Sequence, residues 1–330
     1  MVRRFNTRAQ ITGEIKLPAV PSMLEHYVSM CDNVFRGLGK PFNGPEIDQL
    51  REALRVELSR AYAESLRSHI VISYRASIGS ALDYTVRAQW ASVAQAYESW
   101  IETRQPPYFG TEPDARVWDL AAQVADPAVH RILEIGGGTG RNALALARRG
   151  HPVDVVEMTP KFAAILQSEA EAESLNVRVL VRDVFADAQD LREDYQMMIL
   201  SEVMTDFRSV AQVRGIFEIA ARCLAPGGLL VFNNFLAHEA YQPDNAAREF
   251  CQHVYSGMFT RSDMSTAAAG LPLRLVSDES VYDYEKAHLP AEAWPPTSWY
   301  ADWVRGFDAF LTVNTESPIE LRWLVYERTH

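Results

Sequence analysis

A glycine-rich turn between an apolar run and a helical stretch constrains the fold of this chain more than any other feature. The turn reads Leu133-Glu-Ile-Gly-Gly-Gly-Thr-Gly140. Glycines let the backbone bend sharply and approach a ligand closely, because no Cβ stands in the way. The first turn of the helix that follows carries free N–H groups and a partial positive charge. The sequence therefore predicts a strand, a ligand-binding turn and a helix in succession.

Short apolar runs alternate with helical stretches from residue 131 onward. The runs that are typical of strands are 132–135, 153–158, 177–181, 197–200 and 229–232, and two more follow at 273–277 and 321–327. The helical stretches are 142–149, 161–172 and 210–224. A stop of proline and glycine at 225–228 is expected to turn the chain into the fifth strand. Apolar runs joined by helices predict an α/β fold, with a doubly wound, mostly parallel sheet and helices on both faces.

Residues 1–104 predict a mixed α+β extension instead. A first helix is expected over 21–38, and a second begins at Gly44 and Pro45, since proline is favoured in a first helical turn. The second helix carries an apolar stripe at positions 47, 50, 54, 58, 62 and 66. Two β-type runs, 69–75 and 82–88, predict a hairpin that turns at 78–80, and another helix is expected over 92–103.

The stretch 105–114 contains prolines and a glycine that exclude a regular element. Two interpretations stay open: a linker that joins two units, or a lid in which Tyr108 and Phe109 cover a bound ligand. We expect a domain boundary here, with an extension at 1–104 that is a candidate cap and a ligand-binding domain at 105–330. That domain includes an aromatic-rich insertion around 282–312, which is either an acceptor pocket or core packing.

The composition of the chain limits the kinds of partner that it can bind. Lys and Arg number 32 against 43 Asp and Glu, a net charge of −11, which disfavours a nucleic-acid partner. Three scattered cysteines predict neither a disulfide framework nor a zinc site, and no metal is expected. No apolar run reaches the roughly 18 residues of a membrane span. We expect a soluble, cytoplasmic protein with no membrane partner, and a homodimer is left open.

The spacing of the glycines selects among ligands. A dinucleotide fingerprint that starts at Gly136 requires glycine at 141, where Arg141 stands. A phosphate loop of the GxxxxGK[ST] type is absent. A nicotinamide oxidoreductase is therefore disfavoured.

Glu134-x-Gly136-x-Gly138-x-Gly140 resembles the first motif of the class I, Rossmann-like S-adenosylmethionine-dependent methyltransferases. Glu157 resembles the acidic residue of that family that holds both ribose hydroxyls, and Asp183 the one that binds the adenine amino group. Residues 225–228 resemble the turn that precedes the fifth strand. The resemblance covers 130–235 well and 270–330 loosely, and it implies S-adenosyl-L-methionine as the methyl donor.

From the resemblance and from their places at strand ends, a set of residues is expected to bind this donor. They are Tyr108, Glu134, Gly136, Gly137, Gly138, Gly140, Asn142, Glu157, Met158, Asp183, Val184 and Ser201. Several have structural alternatives: Glu134 orients the turn or meets the ammonium group of the donor, Met158 packs on adenine or fills the core, and Asn142 caps a helix or binds the donor.

The expected reaction is in-line methyl transfer to a small molecule, in which the protein mainly aligns donor and acceptor. An alcohol or an acidic carbon requires a general base, and the candidates are Glu202, His238 and Tyr282. The family shares no universal base, so the resemblance does not choose among them. Two alternatives remain: cyclisation of the donor with release of methylthioadenosine, and a protein that binds ligand or partner without catalysis.

Overall fold

The computed structural model describes residues 10–77, 81–186, 190–310 and 316–330. The basic start of the chain and the predicted hairpin turn at 78–80 lie outside the described residues. The strands are β1 (Gln10–Pro18), β2 (Arg67–Ser77), β3 (Leu82–Ala91), β4 (Ile132–Ile135), β5 (Val153–Glu157), β6 (Val177–Val181), β7 (Tyr195–Leu200), β8 (Leu224–Ala237), β9 (Met258–Phe259), β10 (Leu273–Ser280) and β11 (Ile319–Arg328). The α-helices are α1 (Leu24–Gly37), α2 (Gly44–Glu64), α3 (Val93–Thr103), α4 (Ala115–Ala122), α5 (Arg141–Arg148), α6 (Pro160–Ala172), α7 (Val210–Cys223), α8 (Asn245–His253), α9 (Arg261–Ala268), α10 (Val281–His288) and α11 (Tyr300–Trp303).

The chain packs into two compact units. The first contains the described residues up to Ala96 together with Asp244–His253, and the second contains Tyr97–Pro243 and Val254–His330. The domain boundary that the sequence predicts between residues 104 and 105 stays a prediction. The division between the two compact units falls within α3, and the first unit includes a segment from far along the sequence.

The first unit is an antiparallel sheet in the order β1–β2–β3, with α1 and α2 packed against it. Helix α2 begins where the sequence predicts, because Asn43 and Glu46 form a capping box. Its stripe of Leu50, Leu54 and Leu58 is fully buried. This confirms the predicted mixed α+β extension.

Helix α8 belongs to this first unit through polar contacts. The carboxylate of Glu249 accepts hydrogen bonds from the backbone and the hydroxyl of Ser22, at 2.8 and 3.0 Å. Arg67 donates to the carbonyl of Gln252 over 2.6 Å. No sequence pattern indicated this association, because its partners lie more than 180 residues apart in the chain.

The second unit has a sheet in the order β10–β11–β8–β7–β4–β5–β6, with β9 paired to β8. The pairs from β8 through β6 are parallel, and β11 runs antiparallel to both of its neighbours. Strands β4 and β5 are buried along their whole length, which is why they read as unbroken apolar runs. The predicted doubly wound, mostly parallel α/β fold is confirmed.

One strand differs from the prediction. Strand β8 begins at Leu224 rather than after the proline–glycine stop, and residues 225–228 form an irregularity inside it. The register with β7 shifts there, from Tyr195 opposite Leu224 to Met197 opposite Leu229. The stop signals are accommodated because Gly227 takes a φ of +80°, which glycine tolerates.

The aromatic-rich segment lies between the two antiparallel strands β10 and β11. It contains α10, a short 3-10 helix at Ala291–Ala293, and α11. Across the part of the chain that the structure describes, no helix combines the length and the apolar character that crossing a membrane requires.

Candidate functional site

The glycine-rich turn leaves the carboxyl end of β4, at the edge of the sheet where open α/β folds bind ligands. Gly136, Gly138 and Gly140 all take positive φ, at +73°, +56° and +97°. A Cβ on Gly136 would lie 2.3 Å from Cγ2 of Val203, and one on Gly137 would lie 2.5 Å from Cγ1 of Val155. Backbone conformation and lack of space therefore both require glycine here.

Glu157 ends β5 directly beside this turn. Its Oε2 accepts a hydrogen bond from the Gly138 N–H over 2.8 Å, and its Oε1 accepts one from the Thr159 N–H over 2.7 Å. The side chain is almost fully buried and its orientation is fixed by these two bonds. Because each carboxylate oxygen has a second lone pair, the group can still accept two hydroxyl groups in a fork.

Two exposed side chains, Met158 and Asp183, follow the carboxyl ends of the neighbouring strands β5 and β6. Met158 is 43% exposed, so it does not fill the core. Asp183 follows β6, is exposed, and accepts a hydrogen bond from the Phe185 N–H over 2.9 Å. Val184, the residue that follows Asp183, is buried. This edge thus combines an apolar surface with a free carboxylate oxygen, which suits a planar heterocycle that carries an amino group.

The segment 105–114 passes over the turn. The ring of Phe109 lies 5.5 Å from that of Phe162, and Tyr108 is 6.3 Å from the same ring. A Cβ on Gly138 would lie 3.3 Å from Cε2 of Phe109. Phe109 therefore borders the glycine turn, and Tyr108 lies beside the same Phe162 ring.

Asn142, in the first turn of α5, joins two buried carboxyl groups. Its Nδ2 donates to Oδ2 of Asp114 at 2.9 Å and to Oε1 of Glu134 at 3.1 Å, and its Oδ1 accepts from the Asp114 N–H at 2.8 Å. Burial raises the pKa of Glu134 to about 7, and the Asp114 charge acts in the same direction. Glu134 thus lies beside the turn, where a Cβ on Gly137 would be 3.5 Å from its Oε2, and both predicted roles for it stay predictions.

Arg141 links this network to the end of β7. Its Nη2 lies 2.8 Å from Oδ1 of Asp114 and 3.1 Å from Oε1 of Glu202. Glu202 has a φ of +59°, and its N–H donates to Oδ1 of Asn233 over 2.6 Å. Burial and the Asp114 charge raise the pKa of Glu202 to about 7, although Arg141 opposes the shift. A carboxyl group with such a pKa can accept a proton near neutral pH.

Sequence reasoning missed three residues of this network: Asp114, Glu285 and Tyr300. Glu285 accepts hydrogen bonds from the N–H groups of Ala115 and Arg116, at 2.7 and 3.2 Å, and from the indole of Trp323 at 2.9 Å. Burial, reinforced by Asp114, raises its pKa to about 7. The one available signal was the density of aromatic residues around Tyr300.

The remaining candidates lie elsewhere in the second unit. Ser201, at the end of β7, accepts a hydrogen bond from Nδ2 of Asn233 at 3.4 Å. His238 is exposed and follows β8. The Tyr282 hydroxyl accepts from Lys286 at 3.1 Å, and its ring packs against Trp294. Of the three candidate bases, Glu202 is the one that the structure joins to the glycine turn, through Arg141 and Asp114.

Within the described ranges, no group of three or more His, Cys, Asp and Glu side chains is arranged to hold a metal ion.

Parts of this chain are similar to known proteins. Residues 132–228 match a family model described as a methyltransferase domain. The tRNA 5-carboxymethoxyuridine methyltransferase of Escherichia coli K12 is 27% identical over 150 residues, which cover 44% of this chain and 56% of that protein. The demethylmenaquinone methyltransferase of Clavibacter sepedonicus is 26% identical over 192 residues, or 58% of this chain and 70% of its own. The chain therefore spans little more than half the length of the first of these relatives.

Among solved structures, the geranyl diphosphate C-methyltransferase of Streptomyces coelicolor A3(2) superposes with a TM-score of 0.51. The match has 17% identity and covers 65% of this chain and 76% of that one. At this identity the likeness concerns the fold alone, and it agrees with the sheet described above.

Proposed function

Residues 132–228 belong to the class I, Rossmann-like S-adenosylmethionine-dependent methyltransferases, and on that premise we propose that this chain transfers a methyl group from S-adenosyl-L-methionine to a small molecule. The observation that carries the proposal is the turn in which three glycines take positive φ beside the buried, fixed carboxylate of Glu157.

The residues present fit this donor. The turn at 136–140 is packed so closely by protein side chains that Cβ atoms do not fit, and Glu157 retains lone pairs for the two ribose hydroxyls. Met158 and Asp183 offer an apolar surface and an acceptor for the adenine end. Glu134 and Asn142 hold the start of α5 against the turn. The proposed binding site for the donor also includes Val184, Ser201 and Tyr108.

The donor supplies a methyl group that its sulfonium already activates. The protein is left with alignment, exclusion of water and, for a protic acceptor, removal of a proton. Glu202 is the base we propose, because it is the candidate that pairs with Arg141 beside the turn and whose pKa is raised to about 7. His238 and Tyr282 remain weaker candidates, since neither has a described contact with Glu202.

A small-molecule acceptor is proposed over a nucleic acid. The net charge of −11 opposes a polyanion, although one relative acts on tRNA according to its name. The direct test is a methyl-transfer assay on size-fractionated cell extract with labelled donor. Label in the small-molecule fraction supports the proposal, and label that is sensitive to ribonuclease overturns this acceptor class.

Donor binding is tested by calorimetry with S-adenosylmethionine and S-adenosylhomocysteine. We expect Glu157→Ala to weaken both by roughly a hundredfold, since it removes hydroxyl acceptors and the bonds that fix the turn. Glu218→Gln, an exposed change on α7, is the matched control and should bind both normally. Absence of binding at millimolar ligand would refute the proposed function.

The same incubation tests the alternative reaction. Methylthioadenosine formed from protein and S-adenosylmethionine alone would identify cyclisation of the donor rather than methyl transfer. Binding of both ligands without turnover on any extract fraction would instead favour a ligand-binding protein.

A further inference from the structure

Buried and partly buried carboxyl groups outnumber cations around Arg141. We call this cluster the acidic chamber: Asp114, Glu134, Glu285 and Tyr300 are buried, and the side chains of Arg141 and Glu202 are 9% and 16% exposed. Four carboxyl groups face a single guanidinium, and that guanidinium already contacts two of them. The guanidinium of nearby Arg116 pairs with Glu279 instead, at 2.6 Å.

Asp154, another buried acid of the second unit, differs from these acids because two cations pair with it. Asp154 is 2.7 Å from Arg178 and 3.3 Å from Arg192, and it accepts a hydrogen bond from the Tyr195 hydroxyl at 2.6 Å. In the acidic chamber, Glu285 accepts three hydrogen bonds from N–H groups, but the described ion pairs supply one cation, Arg141, to four carboxyl groups. Three of these acids have a pKa raised to about 7 by burial, so the contacts that are present do not offset the loss of solvation.

Tyr300 provides an independent sign of a ligand. Its side chain is 1% exposed, yet its hydroxyl has no hydrogen-bond partner anywhere in the described ranges. Burial and then the charges of Glu285, Glu202 and Asp114 raise its pKa well above the usual value, so the hydroxyl faces the chamber. A buried hydroxyl without a partner costs free energy unless something binds it.

Three indole rings pack around the ring of Tyr300. The rings of Trp294, Trp299 and Trp303 lie 5.8, 6.1 and 6.1 Å from that of Tyr300. Trp294 and Trp299 are partly exposed, whereas Trp303 and Tyr300 are buried. Indole faces attract cations, so the rings and the carboxylates favour the same kind of group.

We infer that the acidic chamber binds the amino group of the methyl acceptor, so that the acceptor is a small amine. This inference rests on the proposed function for its reaction, but not for the binding itself. An ammonium ion compensates the surplus carboxylates and donates N–H bonds to the Tyr300 oxygen. A carboxylate or phosphate acceptor would meet charges of its own sign, and an alcohol would leave the surplus charge in place.

The chemistry balances with the groups that are present. The ammonium ion gives one proton to the Glu202 carboxylate, and the freed nitrogen lone pair forms a bond to the methyl carbon of the donor. The carbon–sulfur bond breaks, and its electron pair stays on sulfur. The products are a methylated ammonium ion and a neutral thioether, and Glu202 then releases its proton to water.

The test compares ligands of similar shape but different charge. Amines from methylamine to benzylamine, the matched alcohols and the matched carboxylates are titrated into the full chain, alone and loaded with S-adenosylhomocysteine. Calorimetry and tryptophan fluorescence report binding. We expect at least one amine to bind about tenfold more tightly than its alcohol, with no binding of carboxylates. Equal binding of amine and alcohol, tighter binding of a carboxylate, or no amine binding at millimolar concentration would overturn the inference.

Two variants locate the preference. Tyr300→Phe removes an unpartnered hydroxyl and should fold with an equal or higher melting temperature, while the preference for amine over alcohol falls about tenfold. Glu202→Gln should also reduce it, and the control Glu218→Gln should not. An unchanged preference in both Tyr300→Phe and Glu202→Gln would place the amine elsewhere and refute the assignment. Binding of S-adenosylmethionine is measured separately, so a failure there rejects the proposed function without deciding the amine test.

Discussion

The two compact units handle buried charge in opposite ways. All of the fully buried carboxyl groups among the described residues lie in the second unit, whereas the first unit has a core of leucine, isoleucine and aromatic side chains. The ion pairs of the first unit, such as Arg51 with Glu25 and Arg55 with Glu52, lie on exposed helix faces. Surface pairs contribute little to stability, so apolar packing holds this unit together.

The difference teaches where to look for function. Burying carboxylates costs free energy that packing must offset, and a fold retains such groups where chemistry uses them. The glycine turn follows the same logic, because positive φ at three positions within five residues strains any other side chain. The second unit therefore carries both kinds of cost, and the glycine turn and the buried carboxylate of Glu157 lie at the same edge of its sheet.

The largest expected effect comes from the core of the first unit. Leu54→Ala should lower the free energy of unfolding by roughly 2–5 kcal/mol, because the side chain is completely buried on α2. Val56→Ala on the same helix is the matched control and should change stability by less than about 0.5 kcal/mol, since Val56 is 46% exposed. Denaturant unfolding measures both. Equal effects would show that the first unit does not depend on its apolar stripe.

The next effect compares glycines. Gly136→Ala should cost about 1–2 kcal/mol from its left-handed backbone, with a further cost from the contact with Val203. We expect binding of S-adenosylmethionine to fall roughly a hundredfold, because the turn must move. Gly44→Ala in the first unit is the matched control: its φ is not positive and a Cβ there meets nothing within 4 Å. Calorimetry measures donor binding and thermal melting measures stability. Equal losses in Gly136→Ala and Gly44→Ala would contradict the prediction.

The sequence predicted the parts of the site that are local. A turn, the strand before it and the helix after it are adjacent in the chain, so Gly136, Gly138 and Glu157 could be found from spacing and strand ends. The helix boundaries were predictable where caps mark them, as at Asn43. These features need no knowledge of how the rest of the chain packs.

The acidic chamber could not be predicted, because its members converge only through tertiary packing. Asp114, Glu285 and Tyr300 come from three separate segments, and each alone reads as an ordinary polar residue. Arg141 was noticed only because it interrupts a dinucleotide fingerprint. The start of β8 was missed for a different reason: a glycine with positive φ lets the strand continue through a stop signal.

The units should also respond to pH in opposite directions. In the first unit, burial and the nearby charge of His253 lower the pKa of His69 from 6.5 to about 4. Between these values the unfolded chain holds more protons, so stability there falls as the pH drops. In the second unit, Glu134 and Glu285 have a pKa raised from 4.5 to about 7, so the folded form holds more protons and stability falls as the pH rises through that window. Hydrogen exchange, corrected for intrinsic rates and followed on peptides of each unit, would contradict this if both units changed in the same direction.

The smallest expected effect isolates one of these acids. Glu134→Gln keeps the oxygen that Asn142 binds and replaces an oxygen that has no partner in the described chain, while it removes the repulsion from Asp114. It should therefore stabilise the second unit by roughly 1–3 kcal/mol above pH 7 and by little below pH 4.5. Asp154→Asn is the matched control and should have the opposite sign, because Arg178 and Arg192 lose their partner. If Glu134 only positions the turn, its variant should bind S-adenosylmethionine within about tenfold of the parent; a larger loss would mean that the carboxylate itself contacts the ammonium group of the donor.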